Sequence, residues 1–483
     1  MVEANSGMSP NPAPPVSGWR SALVYGLGLS GVAAARALSD RAIRVVAVDG
    51  RPVAGLGSAA RELLRTGRVE TLLDEEADLP SDIDAVVLSP GVPPNRPLLQ
   101  NARLAKTPIL AEVELAYRLL EASSVPTVVA ITGSNGKSTT TALTGALLEA
   151  AGYPVEVCGN IGTPLCARVD GPPGRVFVVE LSSFQLEAVD RFRPRAAALL
   201  NISPDHLDRY RSVAEYAAAK ARIFRNQTPG DIAVVNGDDS EARRLGSARE
   251  GATARVRRRF FSRLRQVEDG CYLDRDRVIE VGPDIRRELF RLDDLALDGL
   301  HNVENAMAAA LLASAVGADP SGFVLGLRGF GGLPHRMRLV ATLGGVRYYN
   351  DSKATNPAAS TRALAGFEDG SVHLILGGRA KGEGADFAEL AAAAATKATA
   401  VYLIGEAADA IESVLEAGTA RRRCGSLERA VEAASAAASH GQSVLLSPAC
   451  ASFDQFEDFA DRGRQFERQV RALAAVGGDD GDG

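Results

Sequence analysis

The chain has 483 residues, longer than one compact domain and suited to about three. Hydrophobic residues make up 46% and charged residues 24%, and the formal net charge is −6, a soluble globular balance that excludes a general drive toward nucleic acid or anionic membrane. The five cysteines (Cys158, Cys166, Cys271, Cys424 and Cys450) are odd in number and form no C-x-x-C pair, so neither a disulfide framework nor a zinc site is indicated and the cytosol is the natural compartment.

The opening "MVEANSGMSPNPAPPVSGWR" has no basic region followed by an apolar core, so no signal peptide is expected. Its composition predicts a flexible tail over residues 1–18, and Met8 is as good a start as Met1. The acidic end, 476–483, is expected to be a second tail. No apolar run is long enough to span a bilayer; the Ala-rich stretch before Tyr402 is interrupted by Lys397. Between the tails, β-branched runs alternate with Ala/Leu-rich helical stretches, which predicts parallel sheets with crossover helices in an α/β fold. Three groups follow, over 19–121, 122–333 and 334–475, with "FGGLPHRM" marking the second break.

The first group opens with "ALVYGLGLSGVAAARAL", a strand, a glycine turn and a helix. Gly26, Gly28 and Gly31 form G-x-G-x-x-G, and the next strand ends at Asp49, so a Rossmann-like diphosphate site with an acidic group for a ribose is expected. Taken alone, the motif points to a nicotinamide oxidoreductase, to any other nucleoside-diphosphate binder, or to a purely structural turn. "VVLSPGVPP" ends another strand, where Ser89 and Gly91 could face the same diphosphate.

The second group opens with "TVVAITGSNGKSTTTALTG", a short phosphate-binding loop in which only Ser134 and Asn135 separate Gly133 from Gly136. Backbone N–H groups at the helix start form an anion cradle, Lys137 supplies a point charge, Ser138 is placed for Mg2+, and Thr139 follows in the same turn. Glu180 ends the next apolar run as a magnesium candidate, followed by Ser182 and Ser183. "NISPDHLDRY" brings Asn201, His206 and Asp208 to another strand end, where His206 is either functional or an ordinary turn histidine. Lys220 reads as a plain helix-face lysine. Asn302 and Asn305 share a helical face and either read an adenine edge or decorate the surface. The basic run "RVRRRFFSRLRQ", 255–266, reads as a solvated, twisted edge strand in preference to a nucleic-acid patch.

"ITGSNGKST", "GNIG", "ELSSFQL", "NISPDHLDRY" and "HNVENA" together resemble the Mur ligases, the ATP-dependent enzymes that build the cytoplasmic peptidoglycan precursor. "LPHRM", "NDSKATNP", "GGRAKGEGADF" and "LSPACASFDQFEDFADRGRQF" narrow the resemblance to the D-glutamate-adding branch. The resemblance implies three domains: a Rossmann-like N-terminal domain, a central P-loop ATPase-like domain and a Rossmann-like C-terminal domain. It implies that the first glycine turn holds the UDP of UDP-N-acetylmuramoyl-L-alanine, through Gly28, Leu29, Ser30, Asp49, Arg51, Ser89 and Gly91, with Asn160 and Ser182 on the sugar-peptide portion. Lys137, Ser138 and Glu180 then serve ATP and a first Mg2+; His206 and a carbamylated Lys220 serve a second ion, with Mn2+ as the alternative metal.

In the third group "VRYYNDSKATNP" is a strand followed by a polar loop opening a helix. The resemblance directs Asp351 and Lys353 at ATP and the reacting carboxylate, with Arg336, Asn302 and Asn305 on the nucleotide. Thr355, Lys381, Ser452 and Phe459 are implied for D-glutamate, although Lys381 also reads as a solvated loop lysine and Phe459 as helix core. Closure of the third domain over the second is expected to accompany catalysis, in a monomer that uses small-molecule substrates, no nucleic acid and no membrane. The rivals are the L-alanine- and diaminopimelate-adding steps, folylpolyglutamate synthesis and a catalytically silent nucleotide-binding regulator. The diaminopimelate-adding step is disfavoured because no Arg follows Asn356-Pro357 closely.

Overall fold

A computed structural model of the chain describes residues 15–72, 79–206, 209–247, 255–297, 299–380 and 386–476. The alternating apolar runs form three sheets. The first contains β1 (Ser21–Tyr25), β2 (Arg44–Val48), β3 (Val69–Leu72), β4 (Ala85–Leu88) and β5 (Ile109–Ala111), in the order β3-β2-β1-β4-β5. All its pairings are parallel. Alternate residues of one strand enter different apolar clusters: Ala22 and Val24 join one, Leu23 and Tyr25 the other. Both faces are therefore covered, which is why these strands read as unbroken apolar runs rather than as alternating ones.

The second sheet holds β6 (Thr127–Thr132), β7 (Val155–Gly159), β8 (Val176–Glu180), β9 (Ala196–Leu199), β10 (Ile232–Asn236), β11 (Arg257–Ser262), β12 (Gly270–Asp274), β13 (Arg277–Gly282) and β14 (Ile285–Arg291). Its order is β14-β13-β12-β11-β10-β9-β6-β8-β7, parallel from β7 to β12 and antiparallel in the β12–β14 meander. The third sheet holds β15 (Arg338–Leu343), β16 (Val346–Asn350), β17 (Val372–Gly377), β18 (Ala398–Ile404), β19 (Arg421–Gly425) and β20 (Ser443–Leu446), in the order β15-β16-β20-β17-β18-β19. Only its β15–β16 pairing is antiparallel.

The chain divides after Gly331 into two compact units. The first carries two sheets that share one core, in which Val24 and Val87 pack in the same cluster as Val128, Val179 and Phe192. The helix Glu112–Glu121 forms the seam. Glu114, fully buried, accepts from Arg118 Nε at 2.6 Å and from the backbone N–H groups of Asp190, Arg191 and Phe192. A buried carboxylate saturated in this way is a fixed joint, because removing any donor would leave charge stranded in the core.

Two expectations change. The basic run is not an edge strand: β11 is paired on both sides, by β10 and β12. Four of its six arginines are ion-paired: Arg257 with Asp269, Arg259 with Asp269 and Glu280, Arg263 with Glu304 and Arg265 with Asp238. The acidic partners lie scattered along the chain, so their charge compensation could not be read locally. Secondly, the first ordered turn precedes residue 18, since Val16–Gly18 form a short 3-10 helix and Val16 and Trp19 enter the core. Residues 1–14 and the acidic tail from 477 lie outside the described residues. Among the described residues, no helix is long and apolar enough to cross a membrane.

Candidate active site

The glycine turn after β1 is dictated by contact. Gly26 has φ +90°, and a Cβ on Gly31 would stand 1.7 Å from the Gly26 carbonyl oxygen, so only glycine lets the helix Leu29–Ser39 start against the strand. Ser89 Oγ donates to that same carbonyl at 2.7 Å and braces the turn from behind. Asp49 accepts from Leu27 N at 2.7 Å and from the Arg51 backbone and guanidinium at 2.9–3.0 Å. Burial alone would raise the Asp49 carboxyl, but the Arg51 fork and the two amides hold it below the usual range. The groups expected for a ribose and a diphosphate, Asp49 and Ser89, thus shape the loop. Gly28 caps the helix with no side-chain bond, Leu29 is exposed and Ser30 half-buried at its start.

The loop after β6 is locked to the one after β9. Ser134 N donates to Asn201 O, Asn135 N donates to Asn201 Oδ1 at 2.8 Å, and Ser203 N donates to Ser134 Oγ at 2.9 Å. Gly136 adopts φ +79° and caps the helix Lys137–Ala150, which carries Ser138 and Thr139 buried in its first turn. Lys137 Nζ donates to Gly133 O and Ser134 O, both at 2.9 Å, so the ammonium is folded over the mouth of its own loop. Asn305 lies behind the loop: its Oδ1 would be 2.4 Å from a Cβ on Gly136, and it accepts from Thr140 at 3.2 Å. Asn302 in turn accepts from Asn305 Nδ2 at 3.1 Å. This pair buttresses the phosphate loop.

Beside this loop is a cavity of about 260 Å³ lined by Pro90, Gly91, Lys137, Asn160, Ser182, Ser183, Phe184, His206, Tyr216 and Lys220. Elements of both sheets of the first unit thus converge on one space, bringing Gly91 of the expected UDP set together with the expected ATP and metal residues. Asn160 Nδ2 donates to Glu180 Oε1 at 2.8 Å, while Glu180 Oε2 is buried with no hydrogen-bond partner. Ser182 caps the following short helix in a capping box with Gln185.

Lys220 is 1% exposed, and its Nζ donates to Gly133 O at 2.8 Å and lies 4.6 Å from the Tyr216 ring centroid. Burial, reinforced by the nearby Lys137 charge, pushes its ammonium well below the ordinary lysine range. His206 has φ +55°; its ring meets Phe184 edge-on at 4.8 Å and lies 3.7 Å from the Asp205 carboxylate. Asp208 lies outside the described residues.

Among the described residues, no three His, Cys, Asp or Glu side chains form a metal cluster. The hard oxygens of Ser138 and Glu180 nonetheless suit magnesium, and the buried Glu180 Oε2, with no hydrogen-bond partner, keeps its lone pairs for such an ion. Lys220 fits the same set only as an anionic derivative.

In the second unit, Asp351 follows β16 and is buried, accepting from Ser447 Oγ at 2.8 Å and from Met337 N at 3.2 Å. Burial pushes its carboxyl up to about 6, with Ser447 and the Arg336 charge opposing. Lys353 Nζ lies 5.5 Å from the ring centroid of Phe459, the first residue of the helix Phe459–Val476. Ser452 is buried and Thr355 half-buried. Lys381 lies outside the described residues.

The Mur ligase middle domain model matches residues 131–313, and the model described as "Mur ligase, glutamate ligase domain" matches 335–450. UDP-N-acetylmuramoylalanine–D-glutamate ligase of Geobacter metallireducens is 44% identical over 460 residues, spanning 94% of this chain and 98% of the relative. The enzyme of the same name from Myxococcus xanthus is 45% identical over 455 residues, spanning 93% and 98%. This chain belongs to the Mur ligase family.

Among solved Mur ligases, UDP-N-acetylmuramate–alanine ligase of Thermotoga maritima superposes with a TM-score of 0.60 at 20% identity, over 94% of this chain and 99% of that one. MurF of Acinetobacter baumannii superposes at 0.57 and 17%, over 89% and 90%. At those identities the likeness concerns the fold, which is the α/β architecture with mainly parallel sheets expected of a Mur ligase.

Two residues beside the cavity, Tyr216 and Phe184, and in the second unit Arg462, were not among the expected site residues. Tyr216 precedes Lys220 by one helical turn, a spacing that places both on one face and could have flagged it. Phe184 packs against His206 and under the Arg209 guanidinium at 4.1 Å. Arg462, a residue type that is ordinarily exposed, is fully buried.

Proposed function

We propose that this Mur ligase couples ATP cleavage to the addition of D-glutamate to UDP-N-acetylmuramoyl-L-alanine in peptidoglycan precursor synthesis. The observation that carries the chemistry is the cavity in which Lys137, Lys220, Glu180-bound Asn160 and Gly91 meet. The choice of amino acid follows the name carried by relatives 44–45% identical over nearly their whole length.

In this reading the alanyl carboxylate attacks the γ-phosphorus of ATP, the bond to the β-phosphate oxygen breaks, and an acyl phosphate and ADP form. The amine of D-glutamate then attacks the acyl carbon, loses a proton, and the tetrahedral adduct expels inorganic phosphate. A carboxylate is a poor electrophile, and phosphorylation supplies the leaving group. Lys137, now on two loop carbonyls, turns its ammonium onto the β/γ-phosphates, while the N–H groups at the start of the helix Lys137–Ala150 cradle them. Asn302 and Asn305 hold that loop rigid from behind.

Ser138 and Glu180 would hold a first Mg2+, and His206 with Lys220 a second; Mn2+ is the alternative metal. Bound metal supplies charge neutralisation at the phosphoryl oxygens and at the developing oxyanion. Lys220 suits its role because burial favours the neutral amine, the form that adds CO2 to give a carbamate and a proton. Asn160 and Ser182 face the muramoyl-peptide portion, and the Gly28–Ser30 helix start with Arg51 the UDP. In the second unit Asp351, Arg336 and Lys353 serve ATP and the reacting carboxylate, and Thr355, Ser452, Phe459 and Lys381 serve D-glutamate. We further assign residues 19–121, 122–333 and 334–475 as the three domains of a cytosolic monomer.

The test is phosphate release from ATP with UDP-N-acetylmuramoyl-L-alanine and, in parallel, D-glutamate, L-glutamate, L-alanine or diaminopimelate. Release only with D-glutamate, with the matching UDP-linked product by mass, is expected. Release with another amino acid would move the enzyme to a different ligation step, and none at all would favour a silent nucleotide-binding regulator.

A further inference from the structure

The helix Phe459–Val476 places one arginine inside the second unit with no acid to meet it. Arg462 is 0% exposed. Its Nε donates to Ser352 Oγ at 2.9 Å, and its Nη2 donates to Ser352 O at 2.9 Å and Cys450 O at 3.1 Å. Nη1 reaches Ala451 O at 3.5 Å. A Cβ on Gly378 would stand 3.1 Å from Nη1 and 2.2 Å from Ala451 O, so glycine opens the space the guanidinium needs. Every hydrogen-bond partner is a carbonyl or a hydroxyl, and among the described residues no carboxylate lies within ion-pair distance. Asp454 exerts an attraction, but its Oδ2 accepts from Glu406 N at 3.0 Å.

These partners are not scattered. Ser352 follows β16, Cys450 and Ala451 follow β20, and Gly378 follows β17, the carboxyl ends of three adjacent parallel strands. Such an end is where α/β sheets bind ligands. Ser352 lies between Asp351 and Lys353, and Ala451 precedes Ser452. The planar five-donor fork of arginine joins several carbonyls at fixed angles, which the point charge of lysine does not. Burial lowers its pKa to about 10, so it remains a cation at neutral pH. A buried cation hydrogen-bonded only to neutral groups, and only partly offset by Asp454, leaves part of its field for an anion at the loops it ties.

We propose that Arg462 is a positioning residue for the acidic amino-acid substrate: it holds the loops bearing Lys353 and Ser452 in register and lends a positive field, only partly offset by Asp454, that favours a dicarboxylate. This rests on the ligase reading above. The experiment compares wild type, Arg462→Met and Arg462→Lys for the KM of D-glutamate, the KM of UDP-N-acetylmuramoyl-L-alanine, kcat and backbone hydrogen exchange.

Arg462→Met is expected to raise the D-glutamate KM about 10- to 100-fold, the span set by losing hydrogen bonds to a charged group, with the UDP-substrate KM within about twofold. Arg462→Lys keeps the charge and loses the fork, and recovers part of the D-glutamate KM. If Arg462→Met does not fold, Arg462→Lys decides alone: an unchanged D-glutamate KM overturns the proposal. A uniform fall in kcat with both KM values unchanged also overturns it. Wild type with no D-glutamate-dependent release would defeat the ligase reading instead. Exchange then still tests the bracing: faster exchange over 350–353 and 449–452 in Arg462→Lys supports it, and unchanged exchange overturns it.

Discussion

Asp351→Asn separates what this carboxylate does for function from what it costs the fold. The Asp351 carboxyl sits at about 6, against an ordinary 3.8, because it is enclosed. Two pH units correspond to about 3 kcal/mol. A pKa raised on folding means the native state holds the proton more tightly than the unfolded chain. The group's stabilising contribution is therefore complete below pH 3.8 and is lost as pH rises through 6. At pH 8 the native protein carries an ionised carboxylate that it has partly desolvated. Asparagine keeps the geometry: its oxygen accepts from Met337 N, and its amide donates to Ser447 Oγ. The Ser447 hydroxyl proton can turn to Ser360 Oγ, 3.0 Å away.

The variant should thus be more stable than wild type at pH 8, by up to about 3 kcal/mol, with the difference vanishing near pH 4. Because the chain has two units, the measurement is urea unfolding read by hydrogen exchange in β16 and β20 rather than one global signal. Ligase turnover should fall in the same variant by about 10- to 100-fold, the span of a lost charge-assisted contact. A variant no more stable at pH 8 than at pH 4, relative to wild type, would refute the reasoning.

Two further perturbations address the first unit. Lys220→Met replaces a buried amine by a side chain of similar shape. Folding lowers the Lys220 pKa, so this group's contribution to stability falls as pH drops from its unfolded value, 10.5, through its folded one. Thermal unfolding at pH 7 should show the variant at least as stable as wild type while D-glutamate-dependent phosphate release is lost; release within about tenfold of wild type would refute a metal-ligating role. Gly31→Ala forces a methyl to 1.7 Å from a backbone oxygen that cannot yield cheaply, and should cost about 3 kcal/mol or more. Its UDP-substrate affinity by calorimetry should collapse while nucleotide affinity persists; unchanged affinity for the UDP-substrate would refute the assignment of that turn.

What was legible in the chain was everything carried by short-range rules. Unbroken apolar runs between helical stretches forecast parallel sheets, because a strand covered on both faces needs no polar alternation, as Leu23 and Val24 show by entering different cores. Gly26, Gly31, Gly133 and Gly136 announced phosphate-type turns: Gly26 and Gly136 hold a positive φ, a Cβ on Gly31 would strike the Gly26 carbonyl, and one on Gly133 would crowd Leu200. Tertiary structure alone decided the electrostatics. Lys220 is a bland helix lysine until Gly133 O, Tyr216 and Lys137 close around it. Arg462 carries no sequence sign that it is buried, yet it is a clamp inside the second unit, and β11 is a solvated edge by composition and an interior strand in fact. Burial and charge pairing depend on residues tens to hundreds of positions apart, such as Arg462 with Ser352 or Asn305 with Gly136. A one-dimensional pattern cannot report whether such partners arrive, and the solvation of a charge is set by whether they do.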